Sequence, residues 1–313
     1  MKGIKSSMNR DLFGLIILIV LLISSEILEA AEERKILIIN SDRTVTNYKI
    51  AHEEFKTGIG YPVMEIDLGK DSESEKNLTE IISKSKPDVI YCIGSRAYLF
   101  ANKAAGKGNF IFTSIINWQR LPLTDKTFGI ANELPPLMHL TLYRHIFPKI
   151  TDIGIIYSNR YNREWVEDAV KSAKEVGINI IARQIENKDG LDDALQYIIP
   201  KAQAIWLIPD PAVISDRDSL MKIFDKSRKF KKPVYSYSDV YIDLGAAISI
   251  STDIQTMARQ AAGLSRDILI GADIPERIQH PAGSYIILNM KNVMEYGVEI
   301  NMDALESVNK IIR

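Results

Sequence analysis

From Arg34 onward, short apolar runs alternate with stretches whose apolar positions recur at helical spacing. KILIIN (35–40) precedes YKIAHEEFKTG, PVMEIDLG (62–69) precedes LTEIISKSK, and PDVIYCIG (87–94) precedes AYLFANKAAG. NFIFTSI (109–115) and TFGIANE (127–133) follow. Then comes PPLMHLTLYRHIFPK, a helix opening on prolines, where a missing N–H costs nothing. The series then restarts: DIGIIYS (152–158) with REWVEDAVKSAKEVG, NIIARQIEN with DDALQYIIPK, AIWLIPD (204–210) with SLMKIFDKSRKF, then PVYSYSD (233–239) and AAISISTD (246–253). MARQAAGLSRDILIG, SYIILNM and DALESVNKII close the chain. Strands that read as unbroken apolar runs between helices predict parallel sheets covered on both faces. Two such series, dividing near residues 149–151, predict two doubly wound α/β lobes, and their first strands look alike (KILIINSDR and DIGIIYSNR). No Gly/Ser linker separates them, so several short strands joining the lobes are expected.

Composition leaves this picture intact. With 46% hydrophobic and 25% charged residues, the 313-residue chain has the balance of a globular protein. Its 39 basic and 40 acidic residues give a net charge of −1, which supplies no field for nucleic acid. The N-terminus differs. Lys2, Lys5 and Arg10 precede LFGLIILIVLLI (12–23) and a small-residue stretch ending at Ala30-Ala31, the layout of a secretory signal over residues 1–30. An uncleaved anchor is the alternative. Cys92, the only cysteine, lies in an apolar run far from that signal, so it carries neither an internal disulfide nor an N-terminal lipid. An exported, periplasmic protein that is not a lipoprotein is expected.

Ligands of open parallel sheets bind beyond the carboxyl ends of the strands. Candidate ligand-binding residues are therefore Ser41, Asp42, Ser95, Arg96, Thr113, Ser114, Asn117, Trp118, Ser158, Asn159, Tyr161, Asp210, Ser238, Asp239 and Asp253, with Asn132-Glu133, Tyr237 and Thr252 at other strand exits. Ser, Thr, Asp and Asn are also the preferred helix N-caps, so each can be a cap alone. Arg43, Arg96 and Arg160 oppose the helix dipole where they stand and suit a carboxylate or phosphate partner. Catalytic motifs are missing. Ser95 in CIGSRA lacks the glycines of a nucleophile elbow. His52, His139, His145 and His280 show no H-E-x-x-H spacing, Gly106–Gly108 is no Walker loop, and no G-x-G-x-x-G follows the first strand. Neither an enzyme nor a bound metal or cofactor is expected.

The blocks from TFGIANELPPLMHLTLYRHIFPKITDIGIIYSNRYN through AIWLIPDPAVIS to PVYSYSDVYIDLGAAISISTDIQTMARQAAGLSRDILIGADIPE occur in the order found in ABC-transporter substrate-binding proteins. The chain resembles that family over nearly its whole mature length, closest to the group with the tryptophan- and tyrosine-binding proteins. The resemblance implies a type I periplasmic-binding fold: lobes 34–149 (with about 250–284) and 150–249 (with about 285–313) hinged around a cleft. It implies a small-molecule ligand, amino-acid-like or another carboxylate, delivered to an inner-membrane permease whose ATPase is a separate chain. Asp210 or Asp239 would then meet an amine, and Arg43, Arg96 or Arg160 an acid. Ile116-Asn117-Trp118 and Pro209-Asp210-Pro211 depart from the family's blocks and reshape the pocket. A sensory subunit for a membrane receptor, or a hydrolase using Ser95, are the other readings.

Overall fold

A computed structural model describes residues 34–69 and 75–313; the expected signal segment, 1–30, lies outside the described residues. The first sheet is built from β1 (Ile36–Asn40), β2 (Val63–Asp67), β3 (Val89–Ile93), β4 (Phe110–Thr113), β5 (Thr127–Ile130) and β11 (Ile278–Gln279), in the order β11-β5-β4-β3-β1-β2. Every pairing in it is parallel. Its helices are α1 (Thr46–Ile59), α2 (Glu75–Ser85) and α3 (Ser95–Ala105), joined by the later α8 (Ile254–Leu269).

The unbroken apolar runs follow from cover on both faces. In β1, Ile36 and Ile38 pack with Phe55 of α1 and Met257 of α8, while Leu37 and Ile39 point the other way, to Leu78 of α2 and Tyr98 of α3. Successive side chains alternate, and both sets are buried.

The second sheet repeats the plan. It comprises β6 (Asp152–Tyr157), β7 (Asn179–Gln184), β8 (Ala204–Trp206), β9 (Val234–Ser236), β10 (Ile248–Thr252), β12 (Ser284–Asn289) and β13 (Lys310–Ile312), in the order β13-β12-β10-β9-β8-β6-β7. The core order 2-1-3-4-5 of the first sheet recurs here as 7-6-8-9-10, so the two similar segments, β1 and β6, hold equivalent places. One departure from an all-parallel sheet appears: β12 runs antiparallel to β10. Around it lie α4 (Pro136–Ile146), α5 (Asn159–Glu175), α6 (Leu191–Ile198), α7 (Arg217–Lys229) and α9 (Met290–Tyr296). Gly154 in β6 lets α6 sit close, since a Cβ there would lie 2.2 Å from Ile198 Cγ2.

The expected boundary near residue 149 falls one helix late. Leu140, Tyr143, Ile146 and Phe147 of α4 and its end pack with Ile153, Trp206 and Ile248, so this helix belongs to the second core. β10 likewise pairs with β9 and β12 of the second sheet, whereas the expectation gave residues from about 250 to the first lobe. Apolar periodicity announces a helix without saying which sheet it covers. The chain crosses between the lobes at 131–135, at Asp253 and at 280–283.

Candidate functional site

The carboxyl ends of both sheets face a common cavity of about 680 Å³. That size suits a small-molecule site. The first lobe contributes the start of α1 (Val45, Asn47, Tyr48) and the residues after β4 (Ser114, Ile116); the crossing after β5 gives Asn132, Glu133 and Leu134. The second lobe contributes Asn162 and Trp165 of α5, Trp206 and Ile208 around β8, and Tyr237, Ser238 and Asp239 after β9. Asp253 and Gln255, where the chain crosses back, complete it with Tyr285.

Of the expected site residues, Ser114, Ser238, Asp239 and Asp253 line this cavity, and the others do not. Their partners say why. Ser41 is buried, donates to the Ile93 carbonyl (2.7 Å) and accepts from the Ala97 amide (3.0 Å), capping α3 from across the sheet. Gly94, at φ +84°, makes room for this bond: a Cβ there would sit 2.6 Å from Ser41 Oγ. The Gly94-Ser95-Arg96 turn is therefore a helix start held from Ser41, with Ser95 and Arg96 exposed outside the cavity. Asp42 accepts from the Thr44 amide and hydroxyl, and Thr113 is fully buried against the Tyr91 hydroxyl. Trp118 packs near Phe112, and Asn117 takes a left-handed φ of 55° whose amide turns toward Glu133.

Asp210 forms the tightest polar knot. It is buried and accepts from the Ser158 amide (2.6 Å), Asn162 Nδ2 (2.9 Å) and the Ala212 amide (2.9 Å), and the Ser158 hydroxyl lies 2.9 and 3.0 Å from its two oxygens. It pins the start of α5 to the end of β8 and has no face toward the cavity. Asn159 is exposed on the same turn. Tyr161 stacks under Arg120, whose guanidinium carbon is 3.7 Å from the ring centre and whose Nη2 donates to the Arg160 carbonyl. That contact joins the lobes away from the three crossings. Arg43 is engaged within the first lobe by Glu65 (2.9 Å) and Asp67 (3.4 Å), where Glu65 also meets His52 and Lys56.

The residues that give the cavity its character include Glu133, noted only as a strand exit, and others that no sequence signal marked. Glu133 accepts the Asn117 amide at Oε1, and its buried Oε2 has no partner among the described residues. Burial raises its carboxyl above the usual range, against backbone amides that pull it down. His139 on α4 is buried with Nδ1 unpartnered, and burial holds its imidazole neutral, down at about 3. Ser114 takes a φ of 58°, and its Oγ is buried without a partner. Buried polar atoms are almost always paired, so three orphans on residues that line one cavity are informative. The aromatic side is continuous: Trp206 lies 5.3 Å from the His139 ring and 5.0 Å from Trp165, edge to face. Glu133 stood at a strand exit and Asn162/Trp165 sit one helical step apart, the signals that sequence offered; nothing local marked His139 or Trp206.

A two-lobed α/β protein of the periplasmic-binding type, with a cavity at the strand tips, is the class this architecture defines. The chain belongs to the ABC transporter substrate binding protein family, whose model matches residues 58–312. That is a solute-binding family and not an enzyme class, and its members are extracytoplasmic. Among the described residues no helix is long and apolar enough to cross a membrane. Several solved structures share the fold. CD0873, a substrate binding protein with adhesive properties from Clostridium difficile in a ligand-free, open form, matches at a TM-score of 0.70 with 15% identity, over 89% of this chain and 99% of that one. An ABC domain from Streptococcus pneumonia in complex with L-Trp matches at 0.60 with 17% identity, over 90% and 100%. A conserved domain protein from Vibrio cholerae matches at 0.59 with 18% identity, also over 90% and 100%. No curated protein matches the chain in sequence.

Proposed function

We propose that this chain is the solute receptor of an ABC importer, exported by its N-terminal segment, and that it holds a small molecule in the cavity between the lobes. The observation that carries this reading is the set of unpartnered buried atoms, Ser114 Oγ, Glu133 Oε2 and His139 Nδ1, on residues that line the cavity from the first lobe, the crossing after β5 and the second lobe. Leaving such atoms without partners costs about 1–3 kcal/mol each, and a ligand that pairs with them recovers that cost on binding. The lobes close over the ligand by flexing at residues 131–135, Asp253 and 280–283, and the closed face engages a permease served by a separate ATPase. The complex of a protein of similar fold with L-Trp supports a ligand of amino-acid size. The arginine half of the expected pairing receives no support, because Arg43, Arg96 and Arg160 are absent from the lining.

Calorimetric titration of the purified protein against amino acids, amines, carboxylates and sugars tests the reading. One class binding at one site per chain, and lost when Ser114→Trp obstructs the cavity, is the expected result. Binding that ignores the obstruction refutes it. N-terminal sequencing of periplasmic protein checks export, with a new terminus near residue 31 expected.

A further inference from the structure

The cavity wall carries charge of one sign. Glu133, Asp239 and Asp253 line it, and among the described residues no lysine or arginine does. Helix N-termini are the other source of positive potential near a strand-tip cleft, and most are already served from within the chain. The amide of Gln255 at the start of α8 bonds to Asp253 Oδ1 (3.1 Å), Asp210 sits at the start of α5, and Ser41 caps α3. The α1 start, capped by Val45 without a side-chain bond, has the Asp42 carboxylate beside it; burial and then that charge push the Tyr48 phenol up, and a second anion there is disfavoured. His139 contributes one neutral ring nitrogen and no charge. The same cavity is lined by the rings of Trp165, Trp206 and Tyr237, and aromatic π-faces favour cations.

We infer that the ligand is an organic cation, a protonated amine or similar nitrogen cation on a flat aromatic body, with its charge paired to Glu133 and its body held among Trp165, Trp206 and Tyr237. The inference rests on the proposed cavity site and narrows its chemistry. Glu133 supplies an oxygen already stripped of water and lacking a donor, so a cation completes its shell without displacing an internal bond. Asp239, exposed at the rim, adds attraction for the incoming charge.

Three probes share one indole body and differ in charge: tryptamine, tryptophan and indole-3-propionate. Each is titrated calorimetrically at neutral pH into the wild type, Glu133→Gln, Asp239→Asn and Ser114→Trp. Tryptamine is expected to bind at least tenfold tighter than tryptophan, with no measurable binding of indole-3-propionate. Glu133→Gln is expected to weaken tryptamine ten- to hundredfold while leaving indole-3-propionate unbound. Asp239→Asn, at an exposed position, weakens tryptamine only a few-fold. Tighter binding of tryptophan or indole-3-propionate, or tryptamine binding indifferent to Glu133→Gln, overturns the charge assignment; the cavity reading survives that outcome if Ser114→Trp abolishes the binding seen. Silence from all three probes overturns the aromatic-cation assignment, and binding untouched by Ser114→Trp overturns both.

Discussion

Around Asp210 both carboxylate oxygens have donors: two amides, the Ser158 hydroxyl and the Asn162 side chain converge within 2.6–3.0 Å. Around Glu133 one oxygen has the Asn117 amide and the other has no hydrogen-bond partner among the described residues. Both residues follow strands at the carboxyl edge of a sheet. Asp210 turns inward and welds β8 to α5, whereas Glu133 lies on a segment that crosses between lobes and borders open space. The difference separates two kinds of polarity: a satisfied knot holds the fold, and under the proposed reading an unsatisfied carboxylate oxygen is where a ligand binds.

Breaking the knot gives the largest effect. Asp210→Ala leaves at least three donors unpartnered, and at about 1–3 kcal/mol each it is expected to cost about 3 kcal/mol or more in denaturant unfolding. Ligand affinity in the molecules that remain folded should hardly change; a large affinity loss at unchanged stability would place Asp210 on the ligand's side of the comparison instead.

The buried imidazole comes next. His139 is neutral when folded, titrating at about 3 against 6.5 when free. Below 6.5 the unfolded chain takes up a proton that the folded chain refuses, so stability falls as pH drops toward 3. That loss reaches about 2 kcal/mol by pH 5. His139→Gln is expected to flatten the unfolding profile between pH 6.5 and 4, and an unchanged profile would show that the ring is solvated.

Glu133 has the opposite sign. Its raised folded pKa means that the folded chain holds a proton the unfolded chain has released, so its contribution weakens as pH rises through the carboxylate range. Glu133→Gln is therefore expected to stabilise the ligand-free protein at pH 7, by about 1 kcal/mol, with the gain vanishing at acid pH. A variant less stable at pH 7 would mean that the carboxylate already has a partner. Arg120→Ala is the gentlest change. Removing its stack on Tyr161 loosens the lobe–lobe contact by under about 1 kcal/mol, lowering ligand affinity two- to fivefold without altering thermal stability.

Much of the fold was legible because its causes are local. Apolar runs such as VIYCI become strands buried on both faces, and PPLMH opens a helix at a point where proline is tolerated. The assignment of α4 to the second lobe was not legible, since it depends on Tyr143 meeting Trp206 and Tyr235 far along the chain. The site was half legible for the same reason. The cavity does lie at strand exits, but which exit side chains fold inward is decided at long range. Ser41 finds partners 52 and 56 residues away, and Asp210 finds Ser158 52 residues away. Ser114, Ser238, Asp239 and Asp253 reach the cavity because no such partner draws them inside the sheet edge. Trp206 belongs at once to the second core and to the cavity wall, and its apolar strand announced only the first role.

A crystal structure grown with saturating tryptamine tests the central claim most directly. Ligand density is expected between the lobes, with the amine nitrogen within hydrogen-bonding distance of Glu133 Oε2 and the indole against Trp165. Tryptamine bound elsewhere on the molecule, with Glu133 Oε2 still unpartnered, would contradict it.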